Sequence, residues 1–239
     1  MQYIQKLESP SKDRVNVSKL INLTKNEKYF LKNSVYCNEF KKRAYRYNGA
    51  IDKVHDYLEE KFIGENDPKF IKILLKIINK VKKCYPTKTH IFLLLKVNNS
   101  YMWNKPRWHW DNNYYTHDDE LHSKFIATLC GDQTYGINAT QSDRQLLLSL
   151  NEQFYDKIIT EEEHRKKLDD AFTHKKININ YSIIKVGKNH NSLCNFRQIH
   201  SEPVNTTPGK KRVFISLLYG TEDEILGDKS TFNFKIIKK

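Results

Sequence analysis

The chain has 239 residues, of which 41 are Lys or Arg and 28 are Asp or Glu, giving a formal net charge of +13 at pH 7. A chain of that length can bury a substantial core as one domain without disulfide or metal staples, and no stretch approaches the roughly 20 apolar residues that cross a bilayer. The positive balance favours an anionic partner, such as nucleic acid or an acidic protein surface, over a neutral one.

The first residues lack the basic start and apolar run of a signal peptide, so a cytoplasmic or nuclear setting is expected. The N-terminal third reads as helical. Thr24 and Glu27 have the spacing of a capping box for a helix over 24–33. A second helix is expected over 35–47, carrying Lys41, Lys42, Arg43 and Arg46 before Asn48 and Gly49 end it. The clearest helix runs from Pro68 to Lys83 behind Asp67 as cap, with Phe70, Ile71, Leu74, Ile77, Ile78 and Val81 on one face. Lys69, Lys72, Lys76, Lys80 and Lys83 line the opposite face, which suits water or a phosphate backbone.

Cys84, Tyr85 and Pro86 stop that helix, because the residue before a proline avoids the helical region. From there the pattern changes to strands at His90–Val97, Lys124–Cys130, Tyr181–Val186, Arg212–Tyr219 and Thr231–Ile237. Leu146–Leu150 fits either strand or helix, and Glu161–Phe172 reads as a charged, exposed helix. The four cysteines, Cys37, Cys84, Cys130 and Cys194, show no Cys-x-x-Cys spacing, which argues against a thiolate zinc site and for reduced thiols. The simplest architecture is α+β: a helical layer over residues 1–88 on a mostly antiparallel sandwich or barrel over 89–239, with a charged insertion near 150–175.

The chemistry-bearing pattern lies at Arg107-Trp108-His109-Trp110-Asp111. In a strand, alternation sends His109 and Asp111 to one face and Trp108 and Trp110 to the other. An imidazole nitrogen and a carboxylate oxygen side by side are two thirds of the facial triad that holds non-haem iron(II). His200, at a strand-to-loop transition, is the candidate third ligand. Arg212 stands in an apolar strand where a buried guanidinium calls for an anion, and Lys124 opens a second such strand. His117 and His122 flank an acidic turn and read as loop residues.

With these residues the chain resembles the iron(II)- and 2-oxoglutarate-dependent oxygenases over about residues 89–220. The resemblance implies a double-stranded β-helix (jelly roll), with His109, Asp111 and His200 as iron(II) ligands. It implies a cosubstrate clamp at Arg212, with Ser216, Thr206 or Thr207 as hydroxyl partner, or alternatively at Lys124. Trp103, Trp108, Tyr114 and Tyr115 would border the mouth. The activity implied is hydroxylation or demethylation of a substrate the sequence does not name. Two other readings stand beside it: a non-catalytic jelly roll binding nucleic acid or protein through its basic surface, with His109, Asp111 and His200 apart, and a metal hydrolase or cupin-like enzyme using the same ligands.

Overall fold

The structure is a computed structural model that describes residues 14–33, 44–62, 67–98, 105–111, 122–187, 197–203 and 212–227. Its frame is a six-stranded sheet in the order β1-β8-β5-β10-β3-β2 and a four-stranded sheet in the order β4-β9-β6-β7. Every described strand pair is antiparallel. The strands of the large sheet are β1 (Arg14–Asn16), β2 (Ala44–Ala50), β3 (His90–Asn98), β5 (His122–Cys130), β8 (Ser182–Val186) and β10 (Arg212–Gly220). Those of the small sheet are β4 (Arg107–His109), β6 (Tyr135–Gly136), β7 (Ile177–Asn178) and β9 (His200–Glu202).

The two faces of the large sheet have different jobs, and alternation along each strand separates them. Ile91, Leu93, Leu95 and Val97 of β3, Phe125 and Ala127 of β5, and Val213, Ile215 and Leu217 of β10 share one buried cluster. The helices pack on this face: α1 (Ser18–Ile21), α2 (Lys25–Asn33), α3 (Val54–Lys61) and α4 (Asp67–Lys82). Phe70, Leu74, Ile77, Ile78 and Val81 of α4 are buried in the same cluster, so the apolar stripe read from the sequence is the helix–sheet interface. Part of the lysine row is used inside the fold: Lys76 is paired with Glu27 at 2.7 Å, and the Lys69 ammonium lies 4.4 Å above the Phe30 ring. The Thr24–Glu27 capping box forms as expected.

The other face of the large sheet looks toward the small one. It alternates apolar Phe92, Ile126, Ile184, Phe214 and Leu218 with polar Lys96, Lys124, Ser216 and Arg212. Two helices, α5 (Gln141–Tyr155) and α6 (Glu161–Phe172), close the far side of the small sheet. Each begins in a capping box, Thr140 with Asp143 and Thr160 with Glu163. Their Leu147, Leu150, Leu168 and Phe172 cluster with Trp108, Ile137 and Ile199 of the sheet side. A short α7 (Glu222–Leu226) follows β10.

The chain is therefore mixed α/β with antiparallel sheets, and it departs from the sequence reading at Ala44–Ala50 and at Cys130. Ala44–Ala50, expected as the end of a helix, is edge strand β2 paired with β3 along its whole length. Tyr45 and Tyr47 suit a pleated, half-buried edge, and that pairing outweighs the helical pattern of the basic residues. The Leu146–Leu150 stretch, which fitted either strand or helix, is helical as part of Gln141–Tyr155. Cys130 is disulfide-bonded and Cys84 is a buried free thiol, so the thiols are not all reduced. A bridge between distant segments leaves no local spacing to read. Residues 35–43, the strand expected at 231–237 and the mouth residues Trp103, Tyr114 and Tyr115 lie outside the described residues, as do Thr206, Thr207 and His117. No described helix is long and apolar enough to cross a membrane.

Candidate metal centre

β4 and β9 are three residues each, and they pair with Arg107 opposite Glu202, Trp108 opposite Ser201 and His109 opposite His200. This register sets the two histidines directly across from one another. Their rings lie 4.4 Å apart between centroids. Trp108 turns to the helical side, where it is 2 % exposed and meets Phe172 edge-on at 5.5 Å. One strand thus plants an aromatic anchor behind the sheet and a candidate ligand in front of it. On the other side of β9, Gly136 of β6 lies opposite His200. A Cβ there would stand 2.9 Å from both Gln198 Nε2 and Ile179 Cγ2, so only glycine allows this approach.

Asp111 follows β4 by two residues and faces the same way as His109. Its carboxylate oxygens lie 3.8 Å from His109 Nε2 and 3.3 Å from His200 Nε2. One ligand atom each from His109, Asp111 and His200 falls within 4.8 Å of the others.

Both imidazoles are oriented from behind. His109 Nδ1 is 3.0 Å from the Arg107 carbonyl, and His200 Nδ1 is 3.0 Å from the Gln198 carbonyl. A carbonyl only accepts, so each Nδ1 carries the hydrogen, which leaves Nε2 of each ring as the nitrogen that could hold a metal. Two nitrogen donors and one carboxylate with fixed tautomers are the donor set of a divalent transition metal with open positions, so the residues fit such an ion.

Charges surround the centre. Lys124 of β5, 5 % exposed, donates a hydrogen bond from its ammonium to Asp111 Oδ2. Burial alone would raise the Asp111 carboxyl, but Lys124, His200 and His109 outweigh it and hold the group well below its ordinary value. Burial together with the neighbouring His200 pushes His109 down to about 3, against a partial lift from Asp111. His109 is therefore neutral near pH 7, the form a metal needs.

Glu202, two residues beyond His200 on the same face, braces the two sheets. It accepts from Lys96 Nζ of β3 at 2.9 Å and lies 3.3 Å from Arg107 Nε of β4. Burial works against its charge, but Arg107 and Lys96 bring its pKa to about 2. Sequence reasoning passed over this brace, although the alternation of Gln198, His200 and Glu202 on one face was available to find it.

Arg212 is 3 % exposed, as its apolar strand suggests, and burial lowers its pKa to about 10. Its guanidinium donates to the Asp132 carbonyl at 2.8 Å and to the Thr128 and Thr134 hydroxyls. It also lies over the Phe214 ring at 4.9 Å. Asp132 and Thr134 follow the end of β5, whereas Lys124 lies near its start and pairs with Leu218. Six residues of β10 separate Arg212 from that pairing, about 20 Å along a strand. Ser216 lies opposite Ile126 and diagonal to Lys124. His122 opens β5 two residues before Lys124 and is not one of the three clustered ligands.

No protein-family model and no curated protein matches this chain. Among solved structures it is similar to HygX from Streptomyces hygroscopicus with nickel, 2-oxoglutarate and hygromycin B bound. The identity there is 10 % and the TM-score 0.41, over 92 % of this chain and 86 % of that one. The same protein with nickel and 2-oxoglutarate gives 9 % identity and a TM-score of 0.39, over the same shares of the two chains. At these values the likeness is loose in both sequence and backbone.

Proposed function

We propose that the protein is an iron(II)- and 2-oxoglutarate-dependent oxygenase acting through His109, Asp111 and His200. The observation that carries this reading is the convergence of those three side chains, with ligand atoms within 4.8 Å of one another and both histidines pinned through Nδ1 to backbone carbonyls. The winding of the chain supports it. From β3 to β10 the strands fall in the large, small, large, small, small, large, small and large sheet in turn. That is the alternation of a double-stranded β-helix.

Iron(II) held by three protein groups would supply dioxygen activation with 2-oxoglutarate as the electron source. The chain's own residues have narrower tasks. His109, Asp111 and His200 hold the ion on one side and leave the other open. Lys124 supplies the cation for the remote carboxylate of the diacid, with Ser216 as the nearby hydroxyl. Arg212 is assigned to the β5–β6 turn, because its guanidinium donates to the Asp132 carbonyl and the Thr134 hydroxyl.

The test is iron(II)-dependent conversion of 2-oxoglutarate to succinate by the purified protein, together with Mn²⁺ binding measured by calorimetry. His109→Ala should abolish turnover and weaken Mn²⁺ binding by more than the roughly 10–100-fold typical of losing an outer partner. Unchanged metal binding in that variant would sink the assignment.

A further inference from the structure

Asp111 Oδ2 has two claimants. It accepts a hydrogen bond from the Lys124 ammonium, and it is the oxygen 3.3 Å from His200 Nε2, the nitrogen with which it would share a metal ion. Lys124 is 5 % exposed, so its charge is largely removed from water, and it pairs with the carboxylate of the candidate ligand itself. Arg107 differs in this respect. Its Nη2 is 3.5 Å from His109 Nε2, but its charge is shared with Glu202, outside the ligand set. A divalent cation seated among His109, Asp111 and His200 would therefore meet the Lys124 charge at close range. Repulsion grows as distance and local dielectric fall, and both are small here.

We propose that Lys124 makes metal binding and diacid binding depend on one another. With no diacid present, the ammonium stays on Asp111 and opposes the metal. A dicarboxylate that takes the ammonium with its remote carboxylate removes the repulsion and releases Asp111 Oδ2. Linkage makes the effect reciprocal, so bound metal strengthens diacid binding by the same factor. This inference rests on the metal and diacid reading of the centre, and it adds a charge-driven order to how the centre fills.

Mn²⁺ and glutarate test it. Glutarate has two carboxylates at the right spacing but lacks the keto oxygen through which 2-oxoglutarate would add a chelate of its own. The full chain is titrated with Mn²⁺ by calorimetry, with and without saturating glutarate, as wild type, Lys124→Met and Lys124→Arg. In wild type, glutarate should tighten Mn²⁺ about tenfold, within the usual range of coupling between sites. Without glutarate, Lys124→Met should bind Mn²⁺ about tenfold tighter than wild type and gain less than about twofold when glutarate is added. Lys124→Arg keeps the charge and should bind Mn²⁺ as weakly as wild type.

Weaker Mn²⁺ binding in Lys124→Met would make Lys124 an orienting partner of Asp111 and overturn the proposal, while leaving the metal site standing. So would an undiminished glutarate effect in that variant. If Lys124→Met does not fold, wild type decides alone, since no tightening by glutarate overturns the proposal. Failure of wild type to bind Mn²⁺ in either condition overturns the metal site and this inference together.

Discussion

His109 and His200 face each other across the β4–β9 pair with ring centroids 4.4 Å apart, although 91 residues of sequence separate them. On the proposed reading the pairing gives each histidine one role in one metal-binding unit, so their losses should not add. His109→Ala and His200→Ala should each remove tight Mn²⁺ binding, and the double variant should be weaker than either single one by less than about threefold. Calorimetric titration of the three variants measures this; fully multiplicative losses would show that the two rings bind independently.

The two buried cations should separate by assay. Lys124→Met should weaken 2-oxoglutarate binding by about tenfold or more, since a charge-assisted hydrogen bond to the remote carboxylate is lost. Arg212→Met should leave that affinity within about twofold and instead lower stability by about 1–3 kcal/mol, because the Asp132 carbonyl and Thr134 hydroxyl lose their buried donor. Fluorescence-detected diacid binding and urea unfolding of both variants check the division, and the opposite pattern would return the clamp to Arg212.

Trp108 anchors the ligand strand from behind. Trp108→Ala should cost about 3–5 kcal/mol in denaturant unfolding, the usual range for emptying a large buried aromatic site. Recovery of much of that loss on adding Mn²⁺ is also expected, because metal binding favours the folded chain.

Asp143 ties α5 to the fold as both cap partner and ion pair. Burial would raise its carboxyl, but Lys175 at 2.6 Å and the Thr140 backbone and hydroxyl lower it below the ordinary value. A carboxyl lowered by folding contributes stability above its unfolded pKa of about 4 and loses that contribution as pH falls through the lower folded value. Wild type should therefore lose melting temperature more steeply than Asp143→Asn between about pH 4 and pH 2, while being the more stable of the two at pH 7. Parallel melting curves across that range would remove Asp143 from the account.

Much of the centre was legible because a period-two strand leaves a period-two trace. His109 and Asp111 could be placed on one face, and Trp108 on the other, from spacing alone. The distance between His200 and that pair was not legible, since it depends on the β4–β9 register, which three-residue strands encode only through their partners. The hydrogen-bond partners of Arg212 were not legible for a related reason. Burial of an arginine predicts that it needs acceptors, but carbonyl and hydroxyl oxygens at the end of β5 meet that need as well as an external anion would. The strand at Ala44–Ala50 was hidden by helix-compatible lysines and arginines whose pattern carried no information about the edge they border.

The back-to-back placement of Trp108 and His109 has a consequence for change in this stretch. Deleting or inserting one residue between Arg107 and Asp111 would exchange the two faces of the strand, driving a tryptophan into the charged interior and an imidazole into the apolar seam beneath α5 and α6. Single-residue frame changes here should therefore be lost as misfolded protein before they could be seen as inactive protein. The centre and the hydrophobic seal behind it are written in the same five residues, and neither can be re-phased while the other is kept.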